Sequence, residues 1–233
     1  MDTRGHLAWL SELVEWYGKL PAERLSDPVP ACPGWRVETV LDHLGRGLGR
    51  GYLAMARTAP EQDGLAQLTA VMGEPAHGPT ALEVFRTELP QLVGYLERTD
   101  PDTPCYTYAG PGRLRFWSRR AAIEMALHGY DVAEALDVPF SISTERGVDA
   151  VRETLSFVLP MALGVLGEPA PPAIRLALTG GPTLVAGDGE PVAVLAGNAS
   201  TVLLALWGRG PAADPADPTV GRWTTLVERA FAH

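Results

Sequence analysis

Apolar residues recur at helical spacing over most of the first 140 positions of the chain. In the first segment they are Leu7, Leu10, Val14 and Tyr17. This spacing of three or four predicts a helix over residues 3–20, with Thr3 as its N-cap. The same spacing predicts three further helices, over residues 37–57, 82–96 (with a kink at Pro90) and 116–137. Four long helices must bury their apolar faces against one another, which predicts a helical bundle.

The pattern changes after Asp137. A helix is predicted over residues 144–166, followed by the β-rich runs "AIRLALTG", "TLVAG" and "VAVLAG", which Gly, Pro and Asp separate. Asn198 is the predicted N-cap of an apolar helix, and "TVGRWTTLVERAFAH" predicts one last amphipathic helix. The chain is therefore predicted to be α+β, with a helical domain over residues 1–140 and a smaller α+β domain over 141–233. Loops are predicted over residues 25–35, around 59–79 and over 100–112.

Composition narrows the classes of function. The net charge of −9 and the pI of about 5.0 argue against a surface that follows nucleic-acid phosphates. No apolar run is long enough to span a bilayer, and "MDTRGHLAWL" lacks the pattern of a signal peptide, so no membrane partner and a cytoplasmic location are expected. Cys32 and Cys105 are the only cysteines, which excludes a disulfide framework, and each is predicted to be a small buried or loop residue rather than a nucleophile.

One candidate site lies on the predicted helix over 116–137. Glu124, His128 and Asp131 are spaced so that all three project from nearly one helix face. An imidazole and a carboxylate four residues apart can bind one metal ion but need a third ligand, for which His43 in another predicted helix is the best placed. The other histidines are near the termini (His6, His233) or in a loop (His77). The common alternative is a plain surface pair, with Arg120 bridging to Glu124 and His43 exposed or hydrogen-bonded elsewhere.

Three stretches carry a family resemblance: "VPACPGWRVETVLDHLGRG", "RRAAIEMALHGYDVAEALD" and "LAGNASTVLLALWGRG". They resemble the signatures of the mycothiol-dependent maleylpyruvate isomerase family, within the DinB-like superfamily. The resemblance implies a DinB-like four-helix bundle, a C-terminal α+β domain like that of sterol-carrier proteins, and a divalent metal, usually zinc, on His43, Glu124 and His128. One departure is Arg36, which stands where a Ser or Thr often caps the helix that carries His43.

The resemblance also implies a chemistry. Zinc with three protein ligands keeps an open position that accepts the thiol of mycothiol and favours the thiolate. That thiolate would add to an electrophilic small molecule, giving either S-transfer or cis–trans isomerisation. Two alternatives stay open: a non-catalytic, zinc-containing ligand-binding module, and a hydrolase that uses zinc-bound water without a thiol. The sequence does not name the electrophile.

Supporting roles fall on five residues. The resemblance makes Arg209 the expected catalytic cation for a substrate carboxylate or a developing enolate, the alternative being a plain cation at a helix C-terminus. Trp35 and Trp207 are expected either to line a cofactor pocket or simply to pack. Asp131 is expected either to accept the second ring N–H of a metal-binding histidine or to be an exposed charge. Asp42 is expected to face solvent.

Overall fold

The computed structural model describes residues 1–213 and 215–231, so His233 and the end of the last predicted helix lie outside the described residues. The described chain is a mixed, helix-rich fold with small sheets. It divides into two compact units, Met1–Phe140 and a second that begins at Ser141. Across the described ranges, no helix has both the length and the apolar character that crossing a bilayer requires.

The first unit is mostly helical. Its elements are α1 (Thr3–Gly18), α2 (Val37–Asp42), a π-helical segment (His43–Tyr52), α3 (Leu53–Arg57), α4 (Gly64–Val71), α5 (Pro79–Arg98), β1 (Pro104–Thr107), β2 (Gly110–Arg113) and α6 (Arg115–Leu136). The predicted helices over 3–20, 82–96 and 116–137 are confirmed, whereas the kink at Pro90, which lies inside α5, stays a prediction. The predicted helix over 37–57 is also present, but α2, the π-helical segment and α3 share it between them.

The core of this unit forms where α1 packs against α5 and α6, and where α5 packs against α2 and the π-helical segment. Tyr17 and Phe85 are fully buried there, with ring centroids 5.2 Å apart. The Tyr17 hydroxyl donates a hydrogen bond of 2.9 Å to the carbonyl of Met125, which joins α1 to α6. Burial of these aromatic side chains adds to the hydrophobic free energy that holds the helices together.

Two glycines let the π-helical segment approach α5 closely. A Cβ added at Gly45 would lie 2.8 Å from the backbone nitrogen of Phe85, and one at Gly49 would lie 2.8 Å from the carbonyl carbon of Glu88. Real Cβ atoms do not come this near to backbone, so any larger residue would push the two helices apart. The position of the π-helical segment, and of His43 at its start, therefore depends on these two glycines.

Four expectations for this unit were wrong. Asp2 rather than Thr3 caps α1, since its carboxylate accepts the Gly5 N–H at 2.8 Å. The 59–79 stretch contains α4, a short helix whose one buried residue among those described is Gly64. The 100–112 stretch contains the hairpin of β1 and β2. Asp42 is buried rather than solvent-facing, because it pairs with Arg46 and accepts the Ala76 N–H at 2.9 Å.

The second unit combines helices with a three-stranded sheet. Its elements are α7 (Thr144–Glu153), a π-helical turn (Thr154–Val158), α8 (Leu159–Leu166), β3 (Ile174–Leu178), β4 (Thr183–Ala186), β5 (Ala193–Gly197), α9 (Ala199–Leu206), α10 (Pro218–Thr224) and α11 (Leu226–Ala230). The central strand β3 pairs antiparallel with β4 and parallel with β5. The predicted helix over 144–166 and the three predicted strands are confirmed.

Two further predictions for this unit concern where its helices begin and end. Asn198 caps α9 as predicted, because its side-chain oxygen accepts the Thr201 N–H at 2.8 Å. The prediction of a single last helix is wrong, since a break at Thr225 separates α10 from α11. The hydroxyls of Thr224 and Thr225 both donate to the carbonyl of Gly221, a contact that competes with helical hydrogen bonding and bends helices.

Candidate metal centre

Three side chains of the first unit converge on one point. His43 opens the π-helical segment, while Glu124 and His128 lie one turn apart on α6. Their potential ligand atoms all lie within 4.8 Å of one another, and Nε2 of His43 is 3.1 Å from Oε1 of Glu124. The structure thus brings together the three residues that the sequence singled out as metal ligands.

The carboxylate of Glu124 has different partners on its two oxygens. Oε1 faces His43, whereas Oε2 accepts hydrogen bonds from Arg120 (2.6 Å to Nη2 and 3.1 Å to Nε) and from the Tyr52 hydroxyl (2.9 Å). Burial alone would raise the pKa of Glu124, but the charge of Arg120 and the hydrogen bond from His43 outweigh it and hold that pKa well below its usual range. The group is therefore a carboxylate at neutral pH, which is the form that binds cations.

His128 is fixed by Asp131. The Nδ1 of His128 lies 3.0 Å from Oδ2 of Asp131, whose side chain is fully buried, so of the two alternatives for Asp131 the exposed charge is wrong. A ring N–H donated from Nδ1 to this carboxylate puts the lone pair of the ring on Nε2, which is the nitrogen that can bind a metal ion. The Sγ of Cys32 is 3.6 Å from the same oxygen of Asp131, so Cys32, His128 and Asp131 form a second, buried group of potential donors that shares His128.

An aromatic ring covers one side of the two histidines. Trp35 is half-buried and stacks on His128 with ring centroids 5.8 Å apart and an interplanar angle of 17°. Its centroid is also 5.3 Å from that of His43. The backbone N–H of Trp35 donates to the Cys32 carbonyl at 2.9 Å, and Gly34 supplies the positive φ that this turn needs. The tight loop therefore holds an apolar surface beside the candidate centre.

Comparison with known proteins settles the family. The family model described as the mycothiol maleylpyruvate isomerase N-terminal domain matches residues 7–133, which is more than half of the chain. The chain belongs to this family. Two crystal structures show the family's fold across both units: a mycothiol-dependent maleylpyruvate isomerase (12% identity) and its histidine-to-alanine mutant (10% identity). Each gives a TM-score of 0.64 and covers 90% of both chains. No curated protein sequence matches significantly.

The departure from the family pattern at Arg36 has a local solution. The backbone N–H of Arg36 donates to the Thr39 hydroxyl at 3.2 Å, so a side chain three residues later accepts the N–H of the N-cap residue of α2. The helix that leads into His43 therefore begins in an ordered way even though Arg36 replaces the Ser or Thr expected of the family.

Tyr52 is the residue at this centre that the sequence reasoning missed. It follows His43 by nine residues, which places the two on opposite faces of an α-helix. A π-helix bonds residue i to i+5 and makes a turn in about 4.4 residues, so nine residues are about two full turns. His43 and Tyr52 therefore share a face and both contact Glu124. An α-helical reading of the segment hides this relationship.

The remaining predicted site residues, Trp207 and Arg209, belong to the second unit. The indole N–H of Trp207 donates to the Thr154 hydroxyl at 3.0 Å. Arg209 follows Gly208, which has a positive φ of 71°, and its Nη1 donates to the Trp207 carbonyl at 2.8 Å. The roles predicted for both residues stay predictions.

Proposed function

We propose that this protein is a mycothiol-dependent transferase or isomerase that binds zinc through His43, Glu124 and His128. The observation that carries the proposal is the convergence of two imidazoles and one carboxylate within 4.8 Å in a chain of this family. Two histidines and one glutamate are a donor set of known catalytic zinc sites, in which a fourth position stays open. The finer architecture we propose is a DinB-like four-helix bundle over residues 1–140 and a sterol-carrier-like domain over 141–233.

The residues around the three ligands fit a zinc ion. Glu124 is held as an anion, and Asp131 orients His128 so that Nε2 points its lone pair away from the Asp131 carboxylate. Metal-binding histidines usually have such a carboxylate partner on their other ring nitrogen. Bound zinc would supply a Lewis acid whose open position takes the mycothiol sulfur and favours its thiolate form.

The chain's own residues would shape the reaction around that thiol. Trp35 offers an apolar wall on the histidine side, which limits access of water. We assign Trp207 to the lining of the cofactor pocket and Arg209 to a carboxylate of the electrophilic substrate, since a planar guanidinium binds carboxylates through two N–H groups. A thiolate that adds to a conjugated double bond and leaves after rotation isomerises the substrate, and one that stays attached completes an S-transfer.

The test starts with the metal and uses a matched histidine. Purified wild-type protein should contain about one zinc ion per chain, and His43→Ala or His128→Ala should lose it because two remaining protein ligands are too few. His77, exposed on the loop before α5, is the control, and His77→Ala should keep the ion. Stoichiometric zinc in the His43→Ala/His128→Ala double variant would refute the site.

The thiol is tested on the Co²⁺-substituted protein. Added mycothiol should produce a thiolate-to-metal charge-transfer band, because coordination deprotonates the sulfur. Turnover of maleylpyruvate should require the same thiol. Turnover without thiol would favour a zinc-water hydrolase, and bound zinc with neither a thiol band nor turnover would favour a ligand-binding module; either result would refute the proposal.

Arg209 is tested by kinetics. Arg209→Lys should lower kcat/KM by about 10–100-fold, because a charge-assisted hydrogen bond is worth about 1.5–3 kcal/mol and lysine lacks the planar fork. The thiol band should not change. Arg222→Lys, at an exposed position of α10, serves as the control and should behave as wild type. Loss of the thiol band in Arg209→Lys would contradict a role confined to the substrate.

A further inference from the structure

One carboxylate oxygen of Glu124, Oε2, is saturated by hydrogen-bond donors of the protein. Oε2 accepts two N–H groups of Arg120 and the hydroxyl of Tyr52, at distances between 2.6 and 3.1 Å. A carboxylate oxygen has about two lone-pair directions, so the Arg120 guanidinium and the Tyr52 hydroxyl together occupy Oε2, and loss of either group would free one direction. Oε1, which faces His43, is the oxygen that remains available to a metal ion.

Both donors are themselves held in place. Arg120 lies one turn before Glu124 on α6 and its residue is only 3% exposed, so its guanidinium cannot swing into solvent. The ring of Tyr52 is buried and packs on Trp117 with centroids 4.7 Å apart. Burial of a guanidinium is costly unless it is paired, and this pairing is with the carboxylate that the metal site needs. The contacts therefore fix the rotation of the Glu124 carboxylate.

The π-helical winding is what delivers the second donor. In an α-helix the residue nine positions after His43 would project from the opposite face, away from Glu124. The wider turn brings Tyr52 back to the face of His43, so that one segment contacts both oxygens of the same carboxylate. Such π-helical stretches are frequent at functional sites, and here the winding places His43 and Tyr52 on one face of the segment.

We propose that Arg120 and Tyr52 are positioning residues that make Glu124 a monodentate metal ligand through Oε1 and so keep one coordination position open for an exogenous thiol. This inference rests on the proposed function. Carboxylates bind zinc through one oxygen or both, and a rotation that freed Oε2 would let Glu124 add its second oxygen beside the fourth ligand, so that the ion becomes five-coordinate and the position for the thiol is crowded. The donors on Oε2 oppose that rotation.

The experiment uses Co²⁺ alone as the probe in the full-length protein, with Tyr52→Phe and Arg120→Gln as variants. Four-coordinate Co²⁺ absorbs visible light more strongly than five-coordinate Co²⁺. The wild-type protein should show the strong spectrum, and both variants should show the weaker one as Glu124 becomes bidentate. Zinc affinity, measured by chelator competition, should fall about 10–100-fold, which is usual when an outer partner of a metal ligand is removed.

Matched controls separate this effect from general damage. Tyr95→Phe removes a hydroxyl from α5, and Arg86→Gln breaks an exposed ion pair with Glu83, so both should keep the wild-type spectrum and affinity. Tyr52→Phe retains the ring that packs on Trp117 and is expected to fold even if Arg120→Gln does not. Arg120→Lys should restore part of the affinity, because lysine keeps the charge and one donor.

Two results would overturn the inference. If wild type binds the ion and Tyr52→Phe keeps both its spectrum and its affinity within twofold, the donors do not set the denticity of Glu124. That outcome leaves the proposed function intact. Failure of the wild-type protein to bind Zn²⁺ or Co²⁺ at all would overturn the proposed function and this inference together.

Discussion

Replacement of Gly45 by alanine tests how tightly the fold fixes the candidate centre. The new Cβ would lie 2.8 Å from the Phe85 nitrogen, 2.9 Å from Cγ1 of Val84 and 3.0 Å from the Phe85 Cα. Two of these three atoms are backbone of α5 and cannot rotate away, so the helices must separate. Overpacking of this kind costs about 1–3 kcal/mol. Alanine regains up to about 1 kcal/mol of helix propensity over glycine, which leaves a net loss of about 1 kcal/mol.

Gly94→Ala is the matched control for this prediction. Gly94 lies inside α5, and the three atoms nearest to its added Cβ all belong to the guanidinium of Arg98, the first at 2.8 Å. A flexible side chain can move aside, so this variant should gain up to about 1 kcal/mol from helix propensity. Urea unfolding followed by circular dichroism gives both free energies. Because Gly45 is two residues from His43, Gly45→Ala should also weaken zinc binding. A Gly45→Ala protein as stable as Gly94→Ala would refute the reasoning.

Three further outcomes follow from side chains described above. Burial, Asp131 and Cys32 raise the pKa of Tyr17 well above 10.0, so the folded chain keeps a proton that the unfolded chain releases and stability should fall as pH rises above 10. Tyr17→Phe should cost about 1 kcal/mol at pH 7 and flatten that alkaline decline in urea titrations; an unchanged slope would contradict it. Asp131→Asn should weaken zinc binding about 10–100-fold by chelator competition. Trp35→Leu should weaken mycothiol binding to the Co²⁺ protein yet leave zinc affinity within twofold, and a lost ion would contradict this.

The three candidate ligands could be found from the sequence because their arrangement is mostly local. Glu124 and His128 are one turn apart on an ordinary α-helix, so the spacing alone puts them on one face. His43 could be identified as the third ligand because the other histidines lie near the termini or in a loop, and because the family resemblance points to the same residue. The face on which Asp131 lies could be predicted for the same reason. Whether Asp131 is buried depends on which residues pack over it, and helical spacing carries no information about that.

Other parts of the site could not be read from local pattern. Tyr52 contacts Glu124 because the segment winds as a π-helix, and that winding accompanies the close packing of Gly45 and Gly49 on α5, a tertiary contact. Asp42 was predicted to face solvent from its direction around the helix, yet a loop that contains Ala76 covers it. The strands β1 and β2 have only four residues each, and β1 contains one Pro while β2 contains one Pro and two Gly, residues that are depleted in strands, so the hairpin gives no strand signal.

The hydrogen bond from Tyr17 to the Met125 carbonyl spans 108 residues of sequence, and this has a consequence for the chain as it leaves the ribosome. Helix α1 emerges first, but α6, against which it packs, is synthesised more than 100 residues later. At a synthesis rate of about 5–20 residues per second, the apolar face of α1 lacks that partner for roughly 5–20 seconds. During that interval Trp9, Leu10 and Leu13, all buried in the folded protein, are exposed to other nascent chains and to chaperones.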